Sequence, residues 1–333
     1  MLKGIKDMNA TATILGERKT THVLHATTEE DARYFLGKLA ERMVCCQEFA
    51  TSLLDSVHQY SDVVARLHQD GFVILRNHFP TDLIQKIRTQ VEGMVRTREG
   101  LAPIRAHSQE TPQDLMEGTY QYFNDHFRQE EQNHLEDLVS SVGVQDPLVA
   151  IEETSKLVFD PGILGIGAAF YGAMPMVTFL KIRYAFGNAF PPADTQFFHV
   201  DGGSYRIFKA LVYLNDVEEG GGPFCYVRGS HRLKWEGWDQ KARYEDGEIE
   251  DVYGAEAIVR CYAKAGDVLL ANTTGIHRGE KPVKQNRGIL IVNYCLHPEY
   301  GFEHPDIHIT KHARETLSPF SQLAAEHLVE VVP

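Results

Sequence analysis

Beyond Met176 the chain breaks into short apolar runs punctuated by glycine, proline and asparagine, and few folds accept that pattern. The runs cover residues 177–186, 207–214, 224–227, 267–271 and 289–296 and are rich in Val, Ile, Leu and aromatic side chains. Such residues suit a pleated surface, and turn residues at this spacing send each strand back beside its neighbour without a crossover helix. The pattern predicts an antiparallel sandwich or barrel, of which the jelly roll is the common closed form.

The preceding half has a helical period. After the acidic start Glu29-Glu30-Asp31, apolar residues recur every three or four positions from Phe35 to Val57, predicting an amphipathic helix capped at Thr28 that packs on the outside of a sheet. A helix over 63–70 should stop at Gly71 and give way to a short strand at 72–75. Thr81 should cap the next helix, with Leu83, Ile84, Ile87, Val91, Met94 and Val95 on one face. Residues 98–113 read as loop and 116–142 as helix. Tyr120, Tyr122, Phe123 and Phe127 gather in the first half of that helix, where aromatics serve a core or a pocket wall. Asp160-Pro161 opens a further helix and Gly172 ends it. The expected architecture is α+β: an arm over 1–27, then one domain over 28–333, comprising helical support (28–172), a β core (173–298) and a C-terminal tail (299–333).

Bulk properties remove several function classes. The 333 residues are 43% hydrophobic and 24% charged, which suits a soluble globular chain with one substantial core. Lys+Arg total 33 against Asp+Glu 46, and a formal charge of -13 repels a phosphate backbone, so no nucleic-acid partner is expected. The five cysteines have no CxxC spacing, and three of them lie in apolar runs, which points to a reducing, cytoplasmic setting. The N-terminal residues Met1–Asp7 show no apolar h-region and no window approaches eighteen apolar residues, so neither secretion nor a membrane span is expected.

His-x-Asp occurs three times, at His68, His199 and His304. The first lies where a helix breaks and the third contains proline, which leaves Phe197-Phe198-His199-Val200-Asp201 as the copy in strand-like context. In an extended chain residues i and i+2 share a face, so His199 and Asp201 could hold one side of a metal ion. His277, in Gly275-Ile276-His277-Arg278-Gly279, offers the second imidazole of a two-histidine, one-carboxylate facial triad, the arrangement that leaves positions open on Fe(II). Arg287 begins the run that follows, and a hairpin would fold it back beside His277. Its guanidinium fork would suit the far carboxylate of a dicarboxylate co-substrate.

Between these residues lies Asn215-Asp216-Val217-Glu218-Glu219-Gly220-Gly221-Gly222-Pro223, then a strand and Gly229-Ser230-His231. With Asp70-Gly71-Phe72-Val73-Ile74-Leu75 and its helix, this resembles the phytanoyl-CoA dioxygenase family of iron- and 2-oxoglutarate-dependent oxygenases, over about residues 60–297. The resemblance implies a double-stranded β-helix (jelly-roll, cupin-like) core with helical N-terminal bracing. It implies His199, Asp201 and His277 as iron ligands and catalytic centre, Arg287 as the 2-oxoglutarate arginine, and Fe(II), 2-oxoglutarate and dioxygen as cofactor and co-substrates. Oxidation of a small molecule in specialised metabolism, most simply by hydroxylation with release of succinate and carbon dioxide, would follow. Asp201 argues against a halogenase, which needs that position for halide.

One position departs from the pattern. Many relatives carry serine or threonine two residues after the arginine, and here it is Ile289. Tyr213 and Lys181 are the candidates to share the carboxylate in its place. Phe197, Asn293 and Trp238 are candidates for the substrate pocket, and His231 reads as structural. The acidic run 245–251 reads as a solvated surface loop, with a lid that favours a cationic substrate as the alternative. Two other classes stay open: a zinc- or manganese-loaded cupin-like isomerase or hydrolase, which needs no Arg287, and a non-catalytic binding protein. Family likeness does not choose a substrate, and nothing in the sequence fixes the oligomeric state.

Overall fold

The computed structural model of the chain describes residues 55, 57–106, 134–202, 206–232, 234, 241–296 and 306–331. The helix expected from Thr28, the cluster Tyr120, Tyr122, Phe123 and Phe127, and Trp238 lie outside them.

Helix α1, Ser61–Asp70, stops as expected at Gly71, whose φ of 91° is left-handed backbone that a Cβ would strain. Strand β1, Phe72–Leu75, follows, then helix α2, Thr81–Thr97, which buries Ile84, Ile87 and Val91. Pro80 rather than Thr81 occupies the N-cap of α2, its extended backbone leading straight into the first turn. Strands β2, Leu101–Ala106, and β3, Val139–Val144, stand where loop and helix were predicted. All six residues of β3 are buried, so it lacks the alternation that separates a strand from a helix end. Helix α3, Pro161–Tyr171, opens on the Asp160 carboxylate, which accepts the Ile163 N–H at 2.9 Å, and ends at Gly172.

The β region then runs β4 (Met176–Ala185), β5 (Phe208–Tyr213), β6 (Phe224–Val227), helix α4 (Asp246–Tyr253), β7 (Ile258–Cys261), β8 (Val268–Asn272), β9 (His277–Gly279) and β10 (Arg287–Cys295). One sheet has the order β1-β8-β5-β10-β4-β3-β2 and the other β7-β6-β9. An antiparallel bridge between His199 and His277 adds the His199 segment to the free side of β9. From β4 onward, segments alternate between two facing sheets except at the β6–β7 hairpin, the double-stranded β-helix. The expected hairpin from His277 to Arg287 is instead a crossover, since β9 belongs to the small sheet and β10 to the large one.

Side-chain parity sets three layers. Leu211 and Tyr213 of β5, Leu269 of β8 and Ile289 of β10 face Phe224, Tyr226 and Cys261 of the small sheet and fill the interior between the sheets. Ala210, Val212, Leu270, Leu290 and Val292 point the other way, onto Leu67, Ile84, Ile87, Ile163, Leu164 and Phe170 of the helices. Burying each large apolar side chain contributes about 1.5–3 kcal/mol, so the helices stabilise the large sheet and leave its inner face to the site. On the outside of the small sheet, Cys225 and Val227 pack with Phe198, Ile276 and Ile249 of α4. The C-terminal tail closes the helical layer with β11, His308–Thr310, paired in parallel with β12, Val329–Val331. Among the described residues no helix is long and apolar enough to cross a membrane.

Candidate metal centre

His199, Asp201 and His277 each offer a ligand atom, and these atoms lie within 4.8 Å of one another. Two strands bring them together. His199 and His277 exchange both backbone hydrogen bonds at 2.9 Å, and the Asp201 N–H is held by the Thr273 carbonyl at 3.0 Å. The His277 strand is fixed from its other side by the Gly229-Ser230-His231 turn: the buried Ser230 hydroxyl accepts the Ile276 N–H at 2.7 Å. His231 ties that turn to the end of α1 through the His68 carbonyl, at 3.0 Å, and stays away from the ligands, as expected. Gly275 answers a close approach. A Cβ there would sit 1.9 Å from the Tyr226 hydroxyl, which donates to the Asn272 carbonyl at 2.7 Å.

The imidazoles have defined tautomers. His199 Nδ1 meets the Phe197 carbonyl and His277 Nδ1 meets the Gly275 carbonyl, each at 2.9 Å. A carbonyl only accepts, so each Nδ1 carries the proton and each Nε2 presents a lone pair. Those lone pairs face the Asp201 carboxylate, His199 Nε2 to Oδ1 and His277 Nε2 to Oδ2, both at 3.7 Å. Burial lowers the His199 pKa to about 4 against the pull of Asp201, and burial with the neighbouring His199 lowers His277 to about 3. Burial alone would raise the Asp201 pKa, but Lys209 and the two imidazoles hold it well below the usual carboxylate range. Two neutral nitrogen donors and a carboxylate thus converge with no proton between them, a donor set that fits a divalent cation.

Behind the triad, Arg287 is buried on the inner face. One Nη donates to the Gly222 and Glu280 carbonyls, while Nε has no partner among the described residues. Nor does any carboxylate among them lie within ion-pair distance of it. Burial lowers its pKa, the sign of a desolvated cation. The Tyr213 hydroxyl is fully buried, lies against the Phe224 backbone and interacts electrostatically with Arg287. Burial raises its pKa. Ile289 pairs directly with Tyr213 across β10 and β5, which places the tyrosine beside the position where the sequence departs from its relatives.

Lys181 shares this face, opposite Ile291, with its ammonium 5.5 Å from the Phe179 ring centre. Asn293 lies between Phe179 and Lys209 in register, its side chain buried. Phe197 is half-buried on the His199 side of its segment. All but the first residue of the acidic run 245–251 lie in α4 rather than a loop, with Ile249 buried on the outside of the small sheet. Arg278, next to His277, holds both carboxylate oxygens of Asp246, and Tyr244 and Phe198 exchange backbone hydrogen bonds at 3.0 and 2.9 Å. This helix braces the ligand strands from behind, the opposite side from the ligands. Sequence reasoning missed Arg278 and Lys209, although Lys209 was visible as the one charge in an apolar strand.

The family model for phytanoyl-CoA dioxygenase (PhyH) matches residues 67–283, which contain all three ligands. The chain belongs to that family. Solved structures similar to this PhyH-family chain include iron-bound EctD from S. alaskensis, with 16% identity, coverage of 81% of this chain and 87% of that one, and a TM-score of 0.51. Others are the alpha ketoglutarate dependent carbocyclase SnoK from nogalamycin biosynthesis (20%, 70% and 82%, 0.47) and HygX from Streptomyces hygroscopicus with nickel and 2-oxoglutarate bound (15%, 70% and 85%, 0.44). At such identities the EctD likeness establishes fold. No curated protein matches the chain.

Proposed function

We propose that this PhyH-family protein is a non-haem Fe(II)- and 2-oxoglutarate-dependent dioxygenase that hydroxylates a small molecule, releasing succinate and carbon dioxide. The observation that carries the reading is the pairing of the ligand triad with a buried arginine that has no carboxylate partner among the described residues. A buried guanidinium without its counter-charge costs several kcal/mol, and a bound dicarboxylate would offset that cost. Gly279, two residues beyond His277, lies against this arginine: a Cβ there would be 3.6 Å from Nη2. At ~3.3 Å per residue Gly279 stands about 7 Å along the strand from His277, on the same face. A five-carbon dicarboxylate with one end on the metal would extend toward this arginine.

His199, Asp201 and His277 would hold the metal, whose contribution when bound is the activation of dioxygen. The protein's own groups place the reactants. Arg287 would take the distal carboxylate in a charge-assisted fork, with the Tyr213 hydroxyl as second donor in the place of the usual serine or threonine. Lys181, one strand further along the same face, would add to the field that holds the co-substrate. The aromatic Phe197, with Asn293 and Trp238, would border the substrate, and the apolar interior around Leu211 and Ile289 would exclude water from the reacting end.

The test is anaerobic titration of the protein with Fe(II) and 2-oxoglutarate. A visible absorption band needing both is expected, together with slow succinate formation on admitting air. Loss of the band in His199→Ala or His277→Ala, and weakening of 2-oxoglutarate binding by at least ~100-fold in Arg287→Ala, follow from the geometry. Metal binding by the wild-type protein with no response to 2-oxoglutarate would instead favour a cupin-like isomerase or hydrolase.

A further inference from the structure

Strand β5 is apolar except at Lys209, whose parity with Leu211 and Tyr213 points it into the space between the sheets. An ammonium in that place needs a counter-charge to offset its desolvation. It finds one in a metal ligand. Lys209 Nζ donates to Asp201 Oδ2 at 2.5 Å, with the lysine side chain only 13% exposed, so the pair is largely out of water and far stronger than a surface ion pair. Among the described residues the ammonium makes no hydrogen bond to either imidazole, so its hold on the site is through the carboxylate.

The carboxylate has two oxygens in play. Oδ1 faces His199 and Oδ2 faces His277 at the same 3.7 Å, so both could close on one cation between the imidazoles. Lys209 breaks that symmetry by occupying Oδ2 alone. On the reading of the site as an Fe(II)- and 2-oxoglutarate-dependent centre, we propose that Lys209 is a positioning residue that restricts Asp201 to one metal bond, through Oδ1, and so keeps open the coordination position the second oxygen would take. Two imidazoles, one carboxylate oxygen and a chelating 2-oxo acid leave a single position of an octahedral ion. A chelating aspartate would fill it. Lys209 thus guards access of dioxygen without touching dioxygen or substrate.

The experiment uses full-length protein loaded anaerobically with Fe(II) and 2-oxoglutarate and titrated with nitric oxide, which needs the same open position and is read by EPR. The visible band of the 2-oxoglutarate complex is followed in parallel. Lys209→Met is expected to retain that band while its nitric oxide affinity falls by roughly 10-fold or more, the scale of effects from groups behind a metal ligand. Lys209→Arg, which still donates to Oδ2, should restore affinity to within about 3-fold of wild type. Nitric oxide binding at wild-type strength by folded Lys209→Met overturns the proposal, as does failure of Lys209→Arg to restore it. Should Lys209→Met not fold, Lys209→Ala purified with propylamine takes its place. Nitric oxide affinity that falls when the amine is removed and returns when it is added supports the assignment, and affinity indifferent to the amine refutes it. Wild-type protein without the 2-oxoglutarate band removes the oxygenase reading itself and the proposal with it, a result distinct from an intact wild type and an unaffected variant.

Discussion

Gly275→Ala tests how the strand carrying His277 is held. The added Cβ would meet the Tyr226 hydroxyl at 1.9 Å, its ring Cζ at 2.5 Å and the His231 backbone nitrogen at 3.0 Å. Tyr226 has nowhere to retreat, because it is fully buried and its hydroxyl already crowds Gly71, where a Cβ would lie 2.3 Å away. Either the tyrosine gives up its bond to the Asn272 carbonyl, costing about 1–3 kcal/mol for the unsatisfied group, or the strand shifts. Overpacking adds about 1–3 kcal/mol, so a loss of roughly 2–6 kcal/mol is expected, a large part of a typical total stability. Because the shift is transmitted through Ile276, Co(II) affinity should fall as well. Urea denaturation and Co(II) titration of Gly275→Ala, Tyr226→Leu and the double variant form a cycle. Tyr226→Leu should be costly alone, yet the double variant should lose less than the sum of the two, since the leucine vacates the space the new methyl requires. Stability of Gly275→Ala within about 0.5 kcal/mol of wild type, or strictly additive losses, would refute the reasoning.

Other outcomes follow from the same geometry. Metal-free protein should lose stability as pH falls below the ordinary histidine pKa of 6.5, because the unfolded chain takes up protons at His199 and His277 while the folded chain resists until about pH 4 and 3. By pH 5 that amounts to on the order of 4 kcal/mol relative to pH 7.5, and urea midpoints that do not move over this interval would contradict it. Asp246→Ala frees Arg278 from its bidentate partner and should cost about 1–3 kcal/mol, with faster hydrogen exchange at Phe198 and Tyr244 as the specific sign. Tyr213→Phe should raise the Kd for 2-oxoglutarate by about 5–10-fold, one hydrogen bond's worth, and leave Co(II) affinity unchanged. Neutralising Glu248 and Glu250 should leave KM for the substrate unmoved, because α4 stands behind the ligand strands.

The ligand residues were legible because their chemistry restricts residue type: an imidazole and a carboxylate two positions apart in an extended segment, and a histidine with an arginine ten residues later. The five main apolar strands were legible from their punctuation. Strand β3 was not, because burial on both faces erased its alternation, and β9 was not, because His277-Arg278-Gly279 is chosen for ligation and close approach rather than strand propensity. The crossover between β9 and β10 escaped for another reason: a tight hairpin and a change of sheet produce the same spacing. Helix α4 buries one isoleucine among eight residues, too little for a period. Lys209 required coordinates, since only the partner of its ammonium distinguishes a positioning residue from a misplaced charge.

The pairing of His199 with His277 rests on a single bridge, not a long ladder, and the two histidines are separated by most of the β core. In a sheet a slip of one residue sends every side chain to the opposite face. A chain folded one step out of register would present Phe198 or Val200 where an imidazole should be, and would hold no metal. A bound ion would therefore favour the aligned register over the slipped one, and protein prepared without metal should be cut faster by protease than protein loaded with Co(II).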